Sequence, residues 1–273
     1  MNLMVRSWNR YWFTPESAER LALVRVVSYG LLLAIYLPLD DRGWTQVSAV
    51  FWMPISAFHM LPGPPRNAAL IGSLQVLWKA SLLTSAFGFF SRASMATAAA
   101  LGFFLLGLPN CFGKIHHLDG FPVLLLMILA LSPCADRRGW PVRLSQTLFL
   151  LIFFAAGYAK LRNSGLAWMT AGNMRSIWLG ELFTHTPPTQ LGSLLAQSTW
   201  ASQLAAAGVI IIELSALPAL FFRRVRVVTL PALLGLQILI ALMLGVYFTP
   251  HLVGYALFLP WERYYKKLVP APR

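Results

Sequence analysis

The chain has 273 residues, of which 58% are hydrophobic and only 11% charged, and a net charge of +13. Soluble domains carry about 25% charged residues, so this composition excludes a globule wetted on all sides. The basic residues sit in short clusters between long apolar blocks, as topology signals do, which argues against nucleic acid as a partner.

Leu3–Phe13 reads as an interfacial helix with Met4, Val5, Trp8, Tyr11 and Trp12 on one side. Arg6 and Arg10 break this apolar run, so a cleavable signal peptide is not expected. Thr14-Pro15-Glu16 then supplies a capping hydroxyl, a first-turn proline and an acid for the next helix. Crossing a bilayer takes roughly 20 apolar residues. Spans are predicted near 20–38, 68–90, 94–112, 117–133, 143–160, 202–222, 227–247 and 249–262, the last short enough to be re-entrant or interfacial.

The expected fold class is therefore all-α: a polytopic membrane protein, a bundle of about eight transmembrane segments. One domain covers 1–273, with the interfacial helix in 1–19, the bundle in 20–262 and a basic tail in 263–273. With the N-terminus inside, the inner connections hold 14 lysines and arginines and the outer ones 6. This bias predicts that both termini are cytoplasmic. Connections 39–67 and 161–201 then fall outside, where Trp44, Trp52, Trp168, Trp178 and Trp200 suit lids in the headgroup layer. A short surface helix is expected over Asn173–Phe183. Cys111 and Cys134 fall at opposite ends of adjacent spans, roughly 30 Å apart and beyond disulfide reach.

Ionisable residues inside spans are costly and read by default as functional or paired. Arg25 lies near the inner end of its span, where it can snorkel. Lys79 and Glu213 lie deeper and are candidates for a buried charge pair, structural or proton-linked. The densest polar cluster is Asn110–Gly120, between two apolar spans at the outer boundary. If it is helical, Lys114 and His117 share one face, and His116 and Asp119 another. Asp119 would orient His116, and a lysine beside imidazoles has its pKa drawn toward useful basicity. The alternative is an interfacial turn whose polar groups only anchor a hairpin. A metal site is not expected, since adjacent histidines diverge by about 100° on a helix and no Cys or Glu ligand flanks them. His59, His185 and His251 also fall on the outer side, as does Lys160. Lys160, Trp168, His185 and His251 are therefore candidate ligand-binding residues, beside Lys114, His116, His117 and Asp119 as candidate catalytic ones.

Three stretches carry a family resemblance: FTPESAERLALVRVVSYGLLL (13–33), GKIHHLDGFPVLLLMILALSPCADR (113–137) and FFAAGYAKLRNSGLAWMTAGN (153–173). In order and spacing the chain resembles the horizontally transferred transmembrane (HTTM) domain, the membrane part of vitamin K-dependent gamma-glutamyl carboxylases. In those enzymes a lysine shortly before an Asn-His-Ser motif deprotonates vitamin K hydroquinone, and Lys114 ahead of His117 is the nearest counterpart. Here the tripeptide reads His116-His117-Leu118, and the lysine stands closer to the histidine. The chain ends soon after its last span, so a membrane domain standing alone is expected, similar to small bacterial members that help mature a sporulation-delaying peptide toxin.

The resemblance implies an outer-face Lys/His site acting in quinol-linked modification or in peptide maturation at the membrane. Vitamin K or another quinol is the implied cofactor. Membrane lipids, a peptide substrate and a companion membrane-associated protein are the implied partners. The alternatives are a proton-coupled transporter using Lys79 and Glu213, or a non-catalytic assembly factor. The expected topology is testable: a cysteine at position 175 should react with an impermeant maleimide in intact cells, and one at position 138 only after lysis. The opposite pattern would invert the model.

Overall fold

The computed structural model describes residues 3–89, 91–113, 117–132, 139–184, 190–261 and 263. Every regular element among them is helical. Five helical stretches are long and apolar enough to cross a bilayer: Ala68–Phe87, Arg92–Cys111, Trp140–Met169, Thr199–Phe221 and Arg223–Leu244. This is the make-up of a multi-pass membrane protein. The chain divides into two compact units, residues 1–146 with 250–273, and residues 147–249.

In the first unit, α1 (Leu3–Phe13) is followed by α2 (Ala18–Tyr36). Thr14 does not open α2: its hydroxyl donates back to the Arg10 carbonyl, closing α1. The cap is Ser17, whose side chain accepts from the Arg20 amide at 3.1 Å. Glu16 is used in ion pairs instead, 2.9 Å from Arg20 and 3.5 Å from Arg143. Arg143 also donates to the Arg10 carbonyl at 3.0 Å and lies over the Tyr11 ring. These contacts fasten the end of α1 to the first turn of α6 (Trp140–Ser164). Gly139 lets the two meet, since a Cβ there would sit 2.9 Å from the Thr14 carbonyl oxygen.

The core of this unit stacks α3 (Ala68–Phe87) between α2 and α4 (Ser91–Gly107), with α4 packed in turn on α5 (Gly120–Leu131). Small residues make that approach possible, because packing rather than hydrophobic transfer holds helices together in lipid. Trp78 is wholly buried and donates to the Ala98 carbonyl at 3.0 Å. A Cβ on Gly102 would come within 2.7 Å of Leu126 and 3.1 Å of the Trp78 nitrogen.

Connection 39–67 is built from three 3₁₀ turns, Asp41–Gln46, Ala49–Phe51 and Ser56–Met60. It folds back on the end of α4: Trp44 and Trp52 both pack on Phe112, and the Met53 amide donates to the Cys111 carbonyl at 2.7 Å. Cys111 is buried, while Cys134 lies outside the described residues.

The second unit continues α6 and adds the 3₁₀ turn Gly165–Met169, α7 (Ala171–Thr184), α8 (Gln190–Gln197), α9 (Thr199–Leu214), α10 (Ala216–Phe221) and α11 (Arg223–Leu244). The connection read over 161–201 is thus largely helical, and α7 covers the expected surface helix. Its core gathers Met174, Trp178, Ala196, Ala206 and Met243. Arg226 closes α10 by donating to the Ala219 and Leu220 carbonyls.

The span expected over 249–262 is not a continuous crossing helix. It is a 3₁₀ turn, Thr249–His251, followed by α12 (Leu252–Ala256) of only five residues, and α12 belongs to the first unit. Five residues rise about 8 Å, a fraction of the bilayer core. Pro250 and Pro260 flank the segment and deny it two backbone donors.

Candidate functional site

Two polar constellations stand out, one in each unit. In the first, the 3₁₀ turn His117–Asp119 leads into α5. Asp119 holds the cap position of α5, yet its carboxylate makes no cap bond. It accepts instead from the Tyr36 hydroxyl at the end of α2. Asp41, only 1% exposed, accepts from the Gln75 amide at 3.0 Å. One turn further along α3, Lys79 donates to the Leu37 and Leu39 carbonyls at 2.9 and 2.8 Å. A helix end leaves carbonyls unbonded and carries negative partial charge, which is why an ammonium settles there.

Beside Asp119 lies a cavity of about 360 Å³ with Ser56, Phe58, Phe103 and Asn110 in its walls. Phe58 stacks on Phe103 and Phe104, and a Cβ on Gly107 would strike its ring at 2.7 Å. Ser56 has φ 49°, and among the described residues no other non-glycine is left-handed. Such strain persists only where its surroundings impose it.

In the second unit, Lys160 near the end of α6 meets Glu213 of α9, with Nζ 2.6 and 2.7 Å from the two carboxylate oxygens. The Glu213 side chain is 8% exposed and that of Lys160 26%. Gly157, one turn before Lys160, opens the space: a Cβ there would lie 2.9 Å from the Glu213 Cβ. Nζ also sits 5.3 Å from the centre of the Trp168 ring. Gln203 of α9 fixes the turn that carries Trp168, donating to the Met169 carbonyl at 2.6 Å and accepting from the Ala171 amide at 3.1 Å. The pair forms one wall of a cavity of about 480 Å³ whose other walls are apolar.

The structure therefore brings Lys160 and Trp168 together. Lys79 and Glu213, expected to pair with each other, each have a partner within their own unit. Glu213 is taken by Lys160, across the gap that Gly157 leaves, and the Lys79 ammonium is held by the carbonyls at the end of α2. Lys114, His116 and His185 lie outside the described residues, and His117 is described only as part of its turn. Asp119 bonds Tyr36, while His251 is buried in the turn before α12. Sequence reasoning missed Tyr36, Asp41 and Gln75. It also missed the Lys160–Glu213 pair, because a glycine one turn from a lysine is common in membrane helices and does not by itself mark a close neighbour.

Removing one member of a buried ion pair strands the other, at about 3–5 kcal/mol, whereas replacing both is nearly neutral. Lys160→Met should therefore destabilise the detergent-solubilised protein more than Lys160→Met with Glu213→Leu, and additive losses would show no coupling. Asp41 yields a pH prediction. Burial pushes its carboxyl up to about 6, opposed by the Gln75 bond and reinforced by the charges of Asp119 and Asp40. In the unfolded chain it titrates near 3.8, so the fold favours the protonated form. That stability is present below about pH 4 and lost as pH climbs through about 6. Thermal melts should fall over that window in the parent and less steeply in Asp41→Asn, and equal slopes would refute the assignment.

No family model matches the chain, and neither does any curated protein or solved structure.

Proposed function

We propose that this is an HTTM-type membrane protein of the bacterial plasma membrane, both termini cytoplasmic, with an outer-face site for proton chemistry on a quinol. It would act in quinol-linked modification or, with a companion membrane-associated protein, in maturing a peptide. The observation that carries this reading is the half-buried Tyr36–Asp119 bond, which stations a carboxylate two residues from His117 and beside a cavity. Aromatic walls at Phe58 and Phe103 with one carboxylate at the edge suit a flat ring bearing hydroxyls, and the volume of about 360 Å³ lies in the range of small-molecule sites.

A quinol supplies an acidic hydroxyl when bound. Lys114, as the neutral amine, would take that proton at Nζ and become the ammonium. His117 shares its face if residues 114–117 are helical, and a second cation there would hold the amine in its basic form. Tyr36 would keep the Asp119 carboxylate in place while charge moves in front of it. The alternative carrier reading would have to use Lys79 and Glu213, each of which is bonded to another group.

The test is oxidation of vitamin K hydroquinone in air-saturated buffer, with the protein in nanodiscs, followed by fluorescence. Lys114→Ala and His117→Ala should lose about 100-fold or more of the catalysed rate, the usual weight of a positioned base, with melting unchanged. Lys114→Arg should fail too, because a guanidinium keeps its proton. Full activity in Lys114→Arg would make the residue a charge anchor, and no catalysed rate in the parent would leave an assembly factor.

A further inference from the structure

The cavity of the second unit is a separate matter, since every residue around it lies within 147–249. At about 480 Å³ it is of the size that holds a drug-sized ligand, and its walls are apolar apart from the Lys160–Glu213 pair. We propose that this cavity binds a neutral, hydroxyl-headed lipid, with its hydroxyl between the Lys160 ammonium and the Glu213 carboxylate.

The head group follows from charge. The pair sums to zero, and it lies between the Trp168 ring and the apolar side chains that line the cavity. An ammonium has three protons, and among the described residues Nζ bonds only the two carboxylate oxygens. One donor and several lone pairs remain for a ligand. A hydroxyl meets both, accepting from Nζ and donating to a carboxylate oxygen, and leaves the charge balance intact. A fatty-acid carboxylate would set a second anion against Glu213, and a long-chain amine a second cation against Lys160. Either adds an uncompensated charge in apolar surroundings. A plain hydrocarbon leaves the remaining donor unmet.

Two glycines give a means of filling the cavity. Gly208 on α9 and Gly235 on α11 line the cavity, and a Cβ at either meets nothing within 4 Å. A larger side chain at these positions has open space before it. The cavity can therefore be filled by substitution without disturbing the pair.

The experiment uses the full chain in nanodiscs with a diazirine-bearing hexadecanol as probe, and reads cross-linked peptides by mass spectrometry. Label is expected on the peptides carrying Trp168, Trp178, Gly208 and Gly235. Unlabelled hexadecanol should compete, with palmitate, hexadecylamine and hexadecane weaker by about tenfold or more. Monoolein and geranylgeraniol as further competitors separate an acylglycerol source from an isoprenoid alcohol. Gly208→Leu and Gly235→Leu should abolish the label with melting unchanged. Glu213→Gln, which leaves Lys160 a net cation, should swing the preference toward palmitate by about tenfold. Label that survives both leucine variants, or that hexadecane or palmitate competes as well as hexadecanol does, would overturn the proposal and leave a gap filled by bulk lipid only. The leucine variants decide the matter even where Glu213→Gln fails to fold.

Discussion

A charge placed among apolar helices must be neutralised where it stands, because little solvent reaches it and the field of a lone ion is poorly screened. Lys160 and Glu213 meet that demand on facing helices, and their closeness depends on Gly157 having no side chain. The bond joins α6 to α9, and the turn that follows α6 carries Trp168 back to the ammonium. Without the pair, the cavity wall in the second unit would hold a stranded charge.

The same demand is met elsewhere by backbone. Lys79 and Gln75 turn toward carbonyls released at the end of α2, and Arg226 does the same for α10. These side chains satisfy acceptors that a membrane helix cannot leave bare, since unpaired backbone groups are costly in hydrocarbon. Side chains committed in this way are structural posts, and a charge inside a span is then no sign of transport.

Much of the helical framework was legible in the sequence, because a membrane helix announces itself by the length of an apolar run alone. Ala68–Phe87 and Arg223–Leu244 fall close to the expected spans for that reason. The start of α2 was displaced by three residues because Thr14 and Ser17 are both capping hydroxyls, and only the preceding turn of α1 decides which is used. The final segment, expected to cross or to be re-entrant or interfacial, holds only a short helix because an apolar run flanked by prolines keeps its hydropathy while losing helix length. Pairings were the least legible. Lys79 and Lys160 are the same residue type near helix ends, and choosing between them for Glu213 requires knowing which helix faces α9. Tyr36 and Asp41 were passed over because a tyrosine in an apolar run and an aspartate in a turn are unremarkable until a chain neighbour 83 residues away, Asp119, bonds the first.

Phe112 and Asp119 each carry a contact that reaches far back along the chain. On one side Phe112 is clasped by Trp44 and Trp52, and Gly113 follows with φ 93°. On the other, Asp119 is tied to Tyr36. Six residues separate these moorings. The second mooring joins residues 83 positions apart. The entropy of closing so long a loop is met when the first unit folds, so Tyr36 holds the start of α5 in place from then on.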